Sequence, residues 1–407
     1  MTRFGATSAE ALPPLGVYIH WPFCTAICPY CDFNVHGAHK NNAAVTDWQA
    51  AYKAELTHAY ALRPGGKSEA GKVETVFFGG GTPSLMPPHL VAAILADIDA
   101  LWGLADNAEI SLEANPVSAP RPHLQALRAA GVTRLSLGVQ AFDDDALKAL
   151  GRTHSAAEAQ EAFLAAQDIF DTASFDLIYA RPVSGPQQNP EQAVEAGCAA
   201  WQRELSAALA LSPQHMSLYQ LTIEPDTVFH SRAAQGRLAV PHEDMAAALY
   251  EATQRLCTAA GLPAYEISNH AIDGHHCRHN SAIWHGGDYV GIGPGAHGRI
   301  TIDGRKHASM AHKQPQLWLA ACLEDGHGWQ SLTALSAQEA AEEAVMLGLR
   351  LADGVGVQAL VQRGVALDPQ KLTALKQDGL LAARDDVVQA TDKGRLLLDY
   401  MIGRLLA

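Results

Sequence analysis

Three cysteines, Cys24, Cys28 and Cys31, stand in the spacing C-x3-C-x2-C, with Tyr30 before the last of them. Thiolates are soft ligands that suit an iron–sulfur cluster or zinc. A structural zinc site wants four ligands, usually from two close pairs, and no second pair stands in this segment. His36 is the fourth ligand in a zinc alternative. Three thiolates on a four-iron cubane would leave one iron without a protein ligand, open to a chelating cofactor. The other cysteines, Cys198, Cys257, Cys277 and Cys322, are scattered and read as small buried hydrophobes. An odd count in a long chain is no disulfide framework, and a cluster of this kind fits a reducing, cytoplasmic setting.

A second group of residues could hold a small polar ligand. The run Phe77-Phe-Gly-Gly-Gly-Thr-Pro-Ser84 contains Gly80, Gly81 and Thr82, where bare backbone can approach a ligand or simply turn tightly. Glu113, Gln140 and Asp176 each fall in or at the end of an apolar run, and Arg152 follows shortly after Gln140. Carboxylates accept from hydroxyls and ammonium groups, and arginine clamps carboxylates. Each taken singly is also an ordinary strand-end polar residue.

Something must place these groups together. Short apolar runs at Gly16–Trp21, Val73–Phe78, Ala108–Glu113, Arg134–Val139, Ser174–Tyr179 and His215–Ile223 predict strands. Helical patterns at Asp47–Leu62, Pro88–Trp102, Arg121–Ala130, Ala156–Phe170, Glu191–Leu211 and Glu243–Ala260 follow them one for one. Alternating strand and helix imply an α/β fold with a parallel sheet, and right-handed crossovers curl it into a partial (β/α)6 barrel of the TIM type. Sites then belong at the carboxyl ends of the strands.

The organisation expected is a tail at 1–14, a barrel at 15–261, an extension at 262–330 and a smaller domain at 331–407. The extension is Gly- and His-rich, with weak strand character at Glu266–Ala271 and Asp288–Ile300. The last segment predicts helices at Ala337–Arg350, Val357–Arg363, Pro369–Gln377 and Lys393–Leu406 around a turn at Asp385–Asp386, a winged-helix-like order. Its 10 acidic and 8 basic residues favour a helical cap over a DNA reader. The whole chain of 407 residues carries a net charge of −14, which disfavours nucleic acid as a partner. The first residues do not resemble a secretory signal, and no apolar run is long enough to span a bilayer.

The cysteine motif resembles that of the radical S-adenosylmethionine (SAM) superfamily. The flanking Tyr18-Ile-His-Trp-Pro-Phe-Cys24 is similar to its HemN/HemW branch, which contains oxygen-independent coproporphyrinogen III dehydrogenases and haem chaperones. The resemblance implies a [4Fe-4S] cluster on Cys24, Cys28 and Cys31, with SAM chelating the open iron and cleaved there by one electron. It also implies SAM contacts at Tyr18, Gly80, Gly81, Thr82, Glu113, Gln140, Arg152 and Asp176, and near Thr222. The dehydrogenases carry a further Cys where this chain has Phe33, and a longer leading segment. Arg278-His279-Asn280-Ser-Ala-Ile283-Trp284 resembles the H-N-x-x-Y-W signature of the haem chaperones, with Ile283 in place of Tyr. This implies haem binding through His279, Asn280 and Trp284, and transfer of haem to apo-proteins such as respiratory enzymes at the membrane. A reductant for the cluster is a further implied partner, and a porphyrin-modifying enzyme is the alternative function. Gly291–Gly298, Leu347–Arg350 and Thr391–Gly394 resemble the branch's later motifs. Ala180-Arg181 replaces the branch's usual Gly-Leu before Pro182, which puts a charge near the expected pocket mouth.

Overall fold

The structure is a computed structural model that describes residues 14–63, 71–182, 190–239 and 241–406; the expected tail lies outside them but for its last residue. Strands β1 (Leu15–Trp21), β2 (Val73–Gly80), β3 (Leu104–Ala114), β4 (Arg134–Gln140), β5 (Thr172–Tyr179) and β6 (His215–Gln220) lie side by side in chain order, all parallel. Helices α1 (Val45–Leu62), α2 (Pro88–Leu101), α3 (Arg121–Ala129), α4 (Ala156–Ile169), α5 (Pro190–Leu209) and α6 (Glu243–Ala259) make the connections. The expected partial barrel is present. Local signals explain the element ends: α2 and α3 begin beside prolines, and Ser155 and Glu158 form a reciprocal capping box on α4.

Strand alternation decides what the barrel contains. In β1, Val17 and Ile19 are fully buried in the apolar core under the helices, so Gly16, Tyr18 and His20 face the other way, into the lumen. In β2 the core takes Val76 and Phe78, in β4 Leu135, Leu137 and Val139, in β5 Phe175 and Leu177. The lumen is left with Thr75, Phe77, Ser136, Gln140, Ser174 and Asp176. A polar shaft thus runs through an apolar shell.

The extension departs from the sequence expectation. Strand β7 covers only Asn269–Ala271 and pairs antiparallel with β6. Helix α7 (Arg278–Trp284) precedes β8 (Asp288–Ile292), which joins β1 as a seventh parallel strand. Strands β9 (His297–Ile302), β10 (Arg305–Ala311) and β11 (Trp329–Ala334) then extend the sheet antiparallel, with α8 (Pro315–Asp325) between the last two. The result is one 11-stranded sheet. Strand β10, with Arg305, Lys306 and His307, is polar and only partly buried, so it carries no apolar run to announce it. The buried carboxylate of Glu55 on α1 ties this edge down: it accepts from the backbone of Gly293 at 2.7 Å, of Gly328 at 3.0 Å, and from the Trp318 indole at 3.0 Å.

A second apolar cluster, from Ala341 to Leu405, holds the last helices together. Helix α9 (Ala337–Gly348), opened by a Ser336–Glu339 capping box, is followed by α10 (Val357–Gln362) and α11 (Pro369–Gln377). Val355–Gly356 pairs with Val387–Val388 as a small hairpin. The expected final helix breaks at Leu397 into α12 (Asp392–Leu396) and α13 (Leu398–Leu406).

Candidate functional site

The cysteine loop leaves the carboxyl end of β1 and is closed by a short ladder in which Phe23–Cys24 pairs with His36–Gly37. Its three thiols line one cavity together with Gly80, Gly81, Thr82, Glu113, Gln140, Arg152 and Asp176. Burial pushes the Cys24 thiol up, against a hydrogen bond from the Thr82 hydroxyl. It pushes Cys31 up to about 11, against the Phe33 backbone N–H. Arg152 donates from Nη1 to Cys28 Sγ at 3.3 Å and from Nη2 to the Gly138 carbonyl at 2.6 Å, so a cation is fixed beside a thiol. Among the described residues, no three His, Cys, Asp or Glu side chains converge on a point that would hold a single metal ion. The three thiols do line one cavity, the arrangement that ligands of a four-iron cluster require.

Opposite the thiols sit two buried acids. Burial and the nearby Asp176 charge raise Glu113 to about 8, against one hydrogen bond from the Gly80 N–H at 3.2 Å. Asp176 is raised by burial to about 6, while Ser217 and Ser136 (3.2 Å) stabilise its charge. An acid that is neutral when its pocket is empty and ionises beside a cation suits an ammonium-bearing ligand. The backbone at this rim is unusual. Gly80 has φ +110°, and the next N–H, of Gly81, donates to Trp21 O at 2.7 Å. Gln140 has φ +73°, rare for a side chain of its size, as strained residues at binding sites often are.

A second cavity, about 440 Å³, adjoins the first; Phe33, Gly80 and Glu113 line both. Tyr18, His20, Tyr289 and His297 line its walls, and His279 and Ile283 its far end. His279 is 3 % exposed. Its Nδ1 meets the Thr75 hydroxyl at 3.0 Å, its ring stacks on Phe77, and its Nε2 is buried with no partner. Burial lowers it to about 3, so it is a neutral imidazole at any ordinary pH. Room for the ring comes from Gly16: a Cβ there would stand 3.2 Å from His279 Nδ1. Helix α7 lies across the amino-terminal ends of the strands. Glu109, midway along β3, accepts from the backbone N–H of Arg278 at 3.1 Å and of His279 at 3.2 Å, capping the helix's positive end. Arg278 donates to Asn107 O at 2.6 Å. His279 therefore points up the shaft from the end opposite the cysteines, not from the carboxyl ends of the strands where the sequence argument gathers the site.

Comparison with known proteins agrees with this geometry. The profile of the Radical SAM superfamily matches residues 18–196, and that of the HemN C-terminal domain matches residues 335–397. Radical S-adenosyl methionine domain-containing protein 1, mitochondrial, from Bos taurus is 37% identical over 94% of this chain and 82% of its own. Heme chaperone HemW from Escherichia coli (strain K12) is 35% identical over 97% of this chain and 99% of its own. The chain belongs to the radical SAM superfamily, in its HemN/HemW branch. A solved structure of coproporphyrinogen III oxidase (HemN) from Escherichia coli shares the fold, with a TM-score of 0.77 and 22% identity over 97% of this chain and 91% of that one. Membership in the radical SAM superfamily implies a [4Fe-4S] cluster and SAM, and the chemistry of the three thiols, two acids and one arginine around this cavity suits both.

For a radical SAM protein, the remaining expected residues fall in three places. Tyr18 bonds His20 Nδ1 at 3.0 Å and stacks on Phe77, in the lumen between the two cavities. Thr222 lies past β6, which stops at Gln220, and is exposed and lines neither cavity. Trp284 also lines neither; the Arg350 guanidinium covers its ring at 4.8 Å. Asn280 is half-buried on α7 beside His279. Arg181 does not stand at the pocket mouth. It pairs with Glu204 on α5, which also accepts from the Phe142 N–H at 2.8 Å. Ala180 has φ +52°, which accounts for the glycine usual there. Sequence reasoning missed His20, Tyr289 and His297 as lumen residues; the period-two alternation of β1 and β8 was the signal that finds the first two.

Proposed function

We propose that this protein is a haem chaperone: it holds a [4Fe-4S] cluster and SAM at the upper cavity, takes haem into the adjoining one, and passes haem to apo-proteins. Cys24, Cys28 and Cys31 are the cluster ligands. When bound, cluster and SAM supply one-electron chemistry. The chain's part is to orient and enclose. Glu113 and Asp176 would accept from SAM's amino and hydroxyl groups, and the backbone of Gly80 and Gly81 with Thr82 would edge its amino-acid end. Arg152 and Gln140 close the side facing Cys28, with Tyr18 beneath them. His279 offers Nε2 to haem iron, and Asn280 and Trp284 belong to the same motif, with Trp284 acting through the contact that seats α7. Phe33 stands at the junction of the two compartments, and Thr222 at the outer rim.

The observation that carries this reading is a neutral, buried imidazole with one nitrogen unpartnered, lining a cavity that shares Phe33, Gly80 and Glu113 with the thiol-lined one. Imidazole is a common axial ligand of haem iron. Relatives that are named haem chaperones support it along nearly the full chain. Among the described residues no helix is long and apolar enough to cross a membrane. We place the protein in the cytoplasm, with a cellular reductant for the cluster, acceptors that include respiratory enzymes reached by peripheral membrane contact, and no nucleic acid. Barrel (15–261), extension (262–330) and cap (331–407) are its functional units.

The test is an anaerobic titration of the cluster-loaded protein with haem, followed at the Soret band. Stoichiometric binding that His279→Ala weakens is the expected result; equal affinity in the variant removes the assignment. Because Phe33, Gly80 and Glu113 line both cavities, an occupant of the lower one would lie next to the SAM site, which favours a porphyrin-modifying enzyme as the second reading. Haem- or porphyrin-dependent formation of 5'-deoxyadenosine would identify it.

A further inference from the structure

Gln140 lines the upper cavity from a backbone position of φ +73°. A bulge accompanies it: Leu137 pairs with Phe175 and Gln140 with Leu177, so three residues of β4 match two of β5. The Gln140 side chain lies over Gly138, where a Cβ would stand 2.9 Å from its Nε2, and among the described residues none hydrogen-bonds its amide. Its placement therefore rests on the backbone, and a strained residue keeps its place only where its surroundings over-determine it. Three side chains do so here. Before Gln140, Arg152 donates to the Gly138 carbonyl at 2.6 Å and His154 Nε2 to the Val139 carbonyl at 2.9 Å. After it, the Phe142 N–H donates to Glu204 Oε1 at 2.8 Å.

The Glu204 side chain is 9 % exposed, and a charge so far from water needs a partner. Arg181 supplies it as a fork, Nη1 donating to Oε1 at 3.1 Å and Nη2 to Oε2. Arg181 follows Ala180, φ +52°, in the turn past β5. One carboxylate thus ties the turns that end two neighbouring strands, β4 with Gln140 and β5 with Asp176, and both of these residues line the cavity.

We propose that Arg181 and Glu204 are positioning residues for SAM: the carboxylate holds the bulged end of β4 and the guanidinium holds the carboxylate, so that Gln140 is presented to the ligand. This rests on the reading that SAM fills the upper cavity. Neither residue lines either cavity, so both act through Gln140 and not by contact. The charge that replaces the branch's usual Leu before Pro182 has a use on this account. It satisfies Glu204 from the end of the next strand, which a Leu side chain cannot do.

The experiment is calorimetric titration of the full-length, cluster-loaded protein with SAM, alongside urea unfolding of the same preparations. Glu204→Ala removes the acceptor of the Phe142 N–H and should weaken SAM binding by about threefold to tenfold, one hydrogen bond's worth. Glu204→Gln keeps an oxygen for that N–H and should stay within about twofold of the wild type. Arg181→Leu strands the Glu204 charge and should weaken binding as Glu204→Ala does; adding Glu204→Gln to it should restore affinity. Iron content should match the wild type throughout, since the cysteines sit on the loop after β1. The Glu204 variants decide the matter even where Arg181→Leu does not fold. Equal affinity in all variants, or affinity that follows the urea midpoint and not the oxygen at position 204, overturns the proposal while the SAM reading stands. A cluster-loaded wild type that binds no SAM removes the SAM reading and the proposal with it.

Discussion

The guanidinium of Arg350, two residues past the end of α9, lies 4.8 Å from the ring centre of Trp284, at the end of α7. One residue comes from the C-terminal unit and the other from the haem-chaperone signature. The helix that carries His279 is therefore gripped at both ends, by Glu109 on its first N–H groups and by Arg350 on its last side chain. Arg363 adds a bond to the His285 carbonyl just beyond.

Removing that grip should loosen α7 without emptying the upper cavity. Arg350→Ala is expected to destabilise the docked C-terminal unit by about 0.5–2 kcal/mol, the range for a partly desolvated cation–π pair. Trp fluorescence and urea unfolding measure it. A double-mutant cycle with Trp284→Leu should show coupling of similar size, and additive effects would mean the stack carries nothing.

Each motif thiol should be needed for iron. After anaerobic reconstitution, Cys28→Ala is expected to hold well under four irons per chain and to lose the cluster's visible absorption. Cys198→Ala, away from the cavity, should match the wild type. Equal iron in the two variants would show that the cluster lies elsewhere.

SAM binding should strengthen with pH. Glu113 is protonated below about 8 in the empty site, and the sulfonium charge of bound SAM favours its ionised form, so binding releases a proton. Affinity then rises between pH 6 and 8 by up to about tenfold per unit and levels off above. The lower limit coincides with Asp176, raised to about 6, whose ionisation adds to the slope there. Calorimetric titration of the cluster-loaded protein reads this directly. Glu113→Gln should bind more weakly with a flatter pH profile; an unchanged slope would assign the proton to another group.

Ala180 holds a left-handed backbone that glycine adopts at no steric cost. Ala180→Gly should therefore raise stability by up to about 1 kcal/mol, glycine's larger unfolded-state entropy offsetting part of the gain. A shift of the urea midpoint to higher concentration, with the slope unchanged, is the expected result. A lower midpoint would show that the Ala180 methyl packs better than its backbone suffers.

The barrel was legible because each of its strands is a run of core residues and each crossover an Ala- and Leu-rich helix. The cysteines and the glycine run were legible because their chemistry tolerates few substitutes. Strands β10 and β11 were not, since a polar, partly buried strand such as Arg305–Ala311, though paired on both sides, buries too little apolar surface to leave a pattern. The position of His279 was not either. It depends on Glu109, 170 residues away in sequence, accepting from the first N–H groups of α7, and nothing local to either residue announces that bond. Arg181 misled for a similar reason, because its partner Glu204 lies on the next helix.

Helix α7 stops one end of the shaft, so that end is a floor and not a passage. Glu109 and Arg350 fix the two edges of the floor, and neither lines either cavity. The height at which His279 stands in the shaft is therefore set by residues that touch nothing held there, and the C-terminal unit has a say in the site without a side chain in it.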